Sequence, residues 1–289
     1  MSSSTSTTGG TVSSTARHKT RLAVPSGTDS SSRSTYGSGS GGGALSSLGT
    51  VMSPAQYLAR LVDVQQMDVQ SALDQMRTLC TLSPQRVYKT SYYRKQTKNH
   101  WARDDPAFCF LQMVFLALAS IAYCVAFRED SLVSSTIGFA IKSILINWFG
   151  LGILIASIGR EFANRHLTVH QSSSHVRQGV EWLYAFDIHC NAFFPLFVAL
   201  YGLQFFLLPI VLGKSLLSLV LANTLYAAAF SWYFYITHLG YRALPFLSST
   251  EVFLFPIAGI MIVYLINLVG YPFGFGWNAS RIMAHFYFD

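Results

Sequence analysis

Charge is what this sequence has least of. Only 11% of its 289 residues are Asp, Glu, Lys or Arg, against 51% hydrophobic and 15% aromatic, and that balance excludes an ordinary soluble domain. No Asp or Glu falls deep in any of the long apolar runs, so the embedded acids of an ion pathway are missing. Cysteine is scarce as well. Of four, Cys109, Cys124 and Cys190 lie in or beside apolar runs and only Cys80 is in polar sequence, so no disulfide framework is implied. The first basic residues are followed by no apolar h-region, which predicts no cleaved secretory signal and makes the first apolar run an uncleaved anchor. No internal repeat is visible, and five spans cannot form a complete pair of inverted three-span repeats.

What is present is apolar length. Runs at about 107–127, 132–158, 190–212, 216–239 and 252–272 each exceed the roughly 20 residues needed to cross a bilayer core of about 30 Å. The expected fold is all-α: a polytopic helical membrane protein with five transmembrane helices, forming a domain over 106–272. Pro195, Pro209 and Pro256 fall inside or near span ends, where neighbouring helices must satisfy the carbonyls they free. Arg128–Ser131 and Gly213–Ser215 leave room only for tight hairpins, whereas Gly159–Asp187 is long and polar.

Ahead of the membrane the texture changes twice. Residues 1–52 are mostly Ser, Thr and Gly, a composition that cannot offset the entropy of ordering and predicts a disordered tail. From Ser53, with Pro54 and Gln56 completing a helix-start signal, apolar residues recur at helical spacing to about Leu82, which predicts a cytosolic amphipathic helix. It opens a 53–105 arm whose second part, SPQRVYKTSYYRKQTKNHWARDDPAF, is basic and aromatic. Asp104, Asp105 and Pro106 read there as the capped start of the first span.

That junction carries Arg86, Lys89, Arg94, Lys95, Lys98 and Arg103 within 18 residues, and Arg160, Arg165, Arg177 and Arg242 fall on the same side of a five-span layout. Arg128, Lys214 and Arg281 occupy the other side. The positive-inside rule then places the N-terminus in the cytosol and the C-terminus in the lumen, with 273–289 as a short luminal tail. Arg86, Lys89, Tyr92, Tyr93, Arg94, Lys95, Lys98 and Trp101 are the candidate lipid- and partner-binding residues, because Tyr and Trp suit the headgroup layer and Lys and Arg favour anionic lipid. Basic residues among aromatics also suit single-stranded RNA, but no RNP, KH or zinc-knuckle signature accompanies them.

Within the spans, Lys142 is the conspicuous cation. Either its stem snorkels to the interface or it pairs with the amides of Asn191, Gln204, Asn223 or Asn267. Those amides, with Asn147, also read simply as polar contacts between packed spans. Asp187, His189 and Asn191 gather where the third span should open; a carboxylate at a helix start is favourable without any catalytic role. His166 and His170 have a metal-compatible i, i+4 spacing but no HExxH or Cys pair beside them. Asn278 heads a glycosylation sequon close to the last span, where little or no modification is expected. No catalytic, cofactor or metal site is expected. The competing reading is a small transporter or lipid-handling membrane enzyme built around Lys142, Asp187 and His189.

Three long strings, the junction itself, VEWLYAFDIHCNAFFPL at 180–196 and YITHLGYRALPFL at 235–247, resemble the uncoordinated-fifty (Unc-fifty) family. The resemblance runs from about Ser53 onward and leaves out the Ser/Thr/Gly tail. It implies a five-span Golgi membrane protein without known enzymatic activity, acting in vesicle traffic of the early secretory pathway. It further implies links to large Arf guanine-nucleotide exchange factors and to surface delivery of nicotinic acetylcholine receptors. RNA binding and an inner-nuclear-membrane location are also associated with the family. It supplies no catalytic residues to carry over.

Overall fold

The computed structural model describes residues 67–128, 131–169 and 178–288. The expected tail, the capping box at Ser53 and the first half of the arm helix lie outside the described residues, as do His170, His175 and Arg177. Within them the fold is all-α, and the one extended pairing is an isolated bridge between Thr168 and Leu247. Two helices precede the membrane, α1 (Val69–Leu79) and α2 (Arg86–Lys98). Five long helices follow: α3 (Ala107–Ala126), α4 (Leu132–Leu167), α5 (Trp182–Val211), α6 (Leu216–Arg242) and α7 (Thr250–Phe273). A short α8 covers Ala279–Phe288. Each of α3 to α7 is long and apolar enough to span a bilayer, and a helix satisfies its own backbone as hydrocarbon requires.

Several boundaries differ from the sequence expectation. The helix expected to run to about Leu82 ends at Leu79, and its described part begins at Val69, where Asp68 Oδ1 accepts from the Ser71 amide at 2.9 Å. Helix α4 has 36 residues, about 54 Å at 1.5 Å per residue, and continues past 158 to Leu167. Its added turns are held by the Arg165–Glu161 pair and by Arg160 Nε donating to the Val180 carbonyl at 3.0 Å. Helix α5 starts at Trp182 instead of 190. Asp187, His189 and Asn191 therefore sit inside it and are buried, Asp187 in its second turn. Counting apolar residues ended the span where polar residues began, but those residues have buried partners and the helix carries on through them. Residues 273–289, expected as a tail, contain the packed helix α8.

Helix α5 is the packing centre: every residue from Tyr184 to Leu196 is buried, chiefly against α6 and α4. Close approach depends on small residues. A methyl group on Gly240 of α6 would stand 2.6 Å from Ile188, and one on Gly152 of α4 would stand 2.6 Å from the His189 ring. Helix α7 is peripheral by comparison, with 6% of its apolar window buried against 39% for α3.

At one end of the bundle the arm and two connections form a cap. The Val169 amide donates to Phe246 and that of Ser248 to Leu167, at 3.0 and 2.9 Å. The Trp101 amide donates to Glu181 Oε2 at 3.0 Å. Alternation of the spans puts the arm, the described ends of the α4–α5 connection and the 243–249 connection on one side, and here they touch.

Candidate functional site

The junction folds as α2 followed by an irregular crossing into α3. Asn99 ends α2 with φ 60°, a left-handed conformation that Asn tolerates better than most residues. Lys95 Nζ donates to the Asn99 carbonyl at 2.8 Å. This turn sends the chain inward, and the candidate residues fall into two groups, the second beginning with Arg94 on α2 itself.

The outward group is Arg86, Lys89, Tyr92 and Tyr93, all exposed, with Tyr93 at 67%. Leu82, in the turn before α2, is 90% exposed; on the helix itself positions 86, 89 and 93 are three or four apart and share a face. The opposite face of α2 buries Val87, Tyr88 and Ser91. The Tyr88 hydroxyl donates to the Ile236 carbonyl of α6 at 3.2 Å, and burial pushes its pKa well above the usual phenol value.

The inward group is structural. Arg94 Nη2 donates to Ser91 Oγ at 2.7 Å and to the Trp101 carbonyl at 3.3 Å, and burial pulls its pKa down, opposed by Asp187. Lys95 stands 3.8 Å from Glu181. Lys98 pairs with Asp104, whose other oxygen meets His100 Nε2 at 3.0 Å. Trp101, expected at the headgroup layer, is 4% exposed. Its indole lies within 6.1 to 6.4 Å of the Tyr92, Tyr184 and Phe246 rings, because the arm-side cap supplies an aromatic pocket that competes with lipid.

Arg103 goes deepest. Its amide donates to Asp187 Oδ2 at 2.6 Å, its Nη2 donates to Asn191 Oδ1, and its guanidinium carbon lies 4.1 Å over the Phe108 ring. Asp187, Asn191 and Arg103 thus lock the junction to α5. Asp105 adds a second lock, accepting from the Asp68 amide at 2.8 Å and the Ala107 amide at 2.9 Å, so one carboxylate joins the starts of α1 and α3. The expected start put Pro106 at the first helical position, whereas α3 begins at Ala107 with Pro106 as its N-cap; the bond from Asp105 to the arm, a contact across 37 residues, leaves no local pattern.

The intramembrane candidates do not converge on one centre. Lys142 lies 5.7 and 5.8 Å from the Phe286 and Tyr287 rings of α8, a cation–π arrangement in place of an amide partner. His189 bonds the Tyr233 hydroxyl at 2.8 Å and the Trp148 carbonyl at 3.0 Å, whereas Asp187 faces Arg103. Asn191 is taken by Arg103. Asn223 and Asn267 clamp the turn before α8: Asn223 Nδ2 and Asn267 Nδ2 donate to the Trp277 carbonyl at 2.9 and 2.8 Å, and their oxygens accept from Ala279 and Trp277 amides at 2.9 Å. Asn278 is 8% exposed; its Nδ2 donates to Val211 at 2.7 Å and its Oδ1 caps α8 through Arg281 at 3.0 Å. Between α4, α5, α6 and α8 lies a cavity of about 520 Å³, lined mainly by aromatic and aliphatic side chains, with Asn147, His189 and Lys142's neighbour Tyr287 among them. Among the described residues no three His, Cys, Asp or Glu are grouped to hold a metal.

These junction and α5 residues fall within the stretch that aligns with known proteins. The profile of the UNC-50 family matches residues 57–288. The chain belongs to the UNC-50 family. A protein unc-50 homolog of Dictyostelium discoideum is 45% identical over 233 residues, covering 81% of this chain and 87% of that protein. The human homolog is 41% identical over 233 residues, covering 80% and 86%, and homolog A of Xenopus laevis is 38% identical over the same length. No solved structure matches this UNC-50 family member. The matched region begins within the arm and takes in every candidate residue named above, whereas the Ser/Thr/Gly tail lies outside it.

Proposed function

We propose that this UNC-50 family protein is a non-enzymatic trafficking scaffold of the Golgi and early secretory membranes, with the arm in the cytosol and the C-terminus in the lumen. One observation carries the reading: Arg86, Lys89, Tyr92 and Tyr93 are exposed on a helix whose other face is buried and bonded to α6 through Tyr88. A rigid helix with a free basic and aromatic face is suited to a weak protein contact and an anionic lipid surface at once, and two weak contacts on one membrane give useful avidity. Family resemblance points to a large Arf guanine-nucleotide exchange factor as the protein partner. It also points to cell-surface receptors such as the nicotinic acetylcholine receptor as cargo, and to the inner nuclear membrane as a second location. RNA is the weaker occupant of the same face, which offers only Tyr92 and Tyr93 for base stacking.

Charge reversal at Arg86 and Lys89, both to Glu, is the test. The exchange factor should leave Golgi membranes in cells expressing the variant while the protein itself stays there. Unchanged recruitment would sink the reading. Arg94, Lys95 and Lys98 are unsuitable for it, since each is engaged internally. The 520 Å³ cavity favours a second reading, lipid handling within the membrane. Reconstituted protein that moves or modifies a lipid, and loses this on filling the cavity with Leu200→Trp but not on reversing Arg86 and Lys89, would favour that reading over recruitment.

A further inference from the structure

The cavity of about 520 Å³ between α4, α5, α6 and α8 has the size of a small-molecule site. Its polar wall groups bond chiefly to one another. Asn147 Nδ2 donates to the Tyr201 hydroxyl at 3.2 Å and to the Tyr287 hydroxyl, and His189 uses its two ring nitrogens on the Tyr233 hydroxyl and the Trp148 carbonyl. What remains for an occupant is hydrocarbon surface. Phe230 and Phe286 of the same wall are exposed, so the cavity opens toward lipid.

Backbone geometry sets this cavity apart from ordinary packing. Helix α4 widens into π-helical turns over Lys142–Gly150, and α5 does so over Val198–Leu203. Asn147 from the first stretch and Leu200 and Tyr201 from the second line the cavity. Such turns are rare and frequent at functional sites.

The charge beside it points to the kind of occupant. Lys142 is half-buried, and its ammonium stands 5.7 and 5.8 Å from the Phe286 and Tyr287 rings, both part of the cavity wall. Among the described residues no carboxylate pairs with it. Ring faces attract an ammonium without neutralising it, so the position is open to an anion. Its depth suits a headgroup. Phe288 of α8 stacks on Phe127, just past the end of α3, at 4.2 Å, and the 20 residues of α3 make about 30 Å, the thickness of a bilayer core. Helix α8 therefore lies at the membrane boundary away from the arm, and the Lys142 stem beside it reaches the headgroup layer.

We propose that the cavity holds an acyl chain of an anionic phospholipid whose phosphate pairs with Lys142. This site rests on the lipid reading of the cavity and names the lipid for it; recruitment through α2 does not depend on it.

The test uses full-length protein in phosphatidylcholine nanodiscs with a trace of one of two photoreactive lipids, phosphatidylglycerol or phosphatidylcholine, each with a diazirine in the same acyl chain. After irradiation, peptide mass spectrometry should find label on cavity-wall residues such as Leu200 and Met283, with the phosphatidylglycerol probe labelling them about fivefold more. Lys142→Gln should bring the two probes to parity, and Lys142→Arg should keep the preference. Leu200→Trp, or Met283→Trp should the first fail to fold, should remove the cavity label from both probes. Arg86→Gln with Lys89→Gln should leave it unchanged. Equal cavity labelling by the two probes in wild-type protein, or a preference that survives Lys142→Gln, would overturn the proposal and leave a cavity that takes lipid without regard to charge. Absence of cavity label from either probe would remove the lipid reading along with it.

Discussion

The two halves of the basic junction have nearly the same composition and opposite fates. Arg86, Lys89, Tyr92 and Tyr93 face out, while Arg94, Trp101 and Arg103 turn in to Ser91, the cap aromatics and the Asp187–Asn191 pair of α5. The divide falls within α2, between Tyr93 and Arg94, and the left-handed Asn99 that ends the helix carries the rest of the chain inward. Up to Tyr93 the helix shows its cations outward; from Arg94 on, each cation finds a partner, and past Asn99 the chain runs toward α5. A run of positive charge beside a membrane is therefore two devices here, one exposed for contact and one buried for anchoring the arm.

The widest separation between them should appear in stability. Asp187→Ala removes the acceptor of the Arg103 amide and the acid beside two buried guanidinium groups, so it should cost about 3–5 kcal/mol, as breaking a buried pair does. Thermal unfolding in detergent would show it as a large drop in Tm, and an unchanged Tm would mean that the inward half is not an anchor. Trp101→Ala should come next, at about 3 kcal/mol, because the indole fills the space between Tyr184 and Phe246.

Much of this was legible in the sequence, and the failures share a cause. Five apolar runs became five long helices because length and hydropathy are local properties. The start of α5 was missed because Asp187, His189 and Asn191 look like interface residues until Arg103, Tyr233 and Trp148 are seen to satisfy them. Trp101 was assigned to lipid for the same reason: its aromatic partners are more than 80 residues away in Tyr184 and Phe246. Helix α8 was passed over because its clamps, Asn223 and Asn267, lie on other helices. Only the residues that stayed outside, Arg86, Lys89, Tyr92 and Tyr93, kept the surroundings that local pattern assigns them.

Those residues give the converse test. Reversing Arg86 and Lys89 to Glu should leave stability within about 0.5 kcal/mol of wild type, the range for exposed substitutions, even where recruitment is abolished. A substantial loss of stability would erase the distinction between the two faces and make any recruitment defect uninformative.

Lys98 sits between the classes and should show the smallest measurable effect on folding. It pairs with Asp104, but its side chain is 57% exposed, and an exposed pair contributes about 0–1 kcal/mol after screening. Lys98→Ala should lower Tm slightly at low salt and hardly at all at high salt, because an exposed pair weakens as the Debye length shortens. Asp104 keeps its contact with His100 in that variant, so the carboxylate is not stranded. A salt-independent loss as large as that of Asp187→Ala would place Lys98 with the buried anchor, beside Arg94.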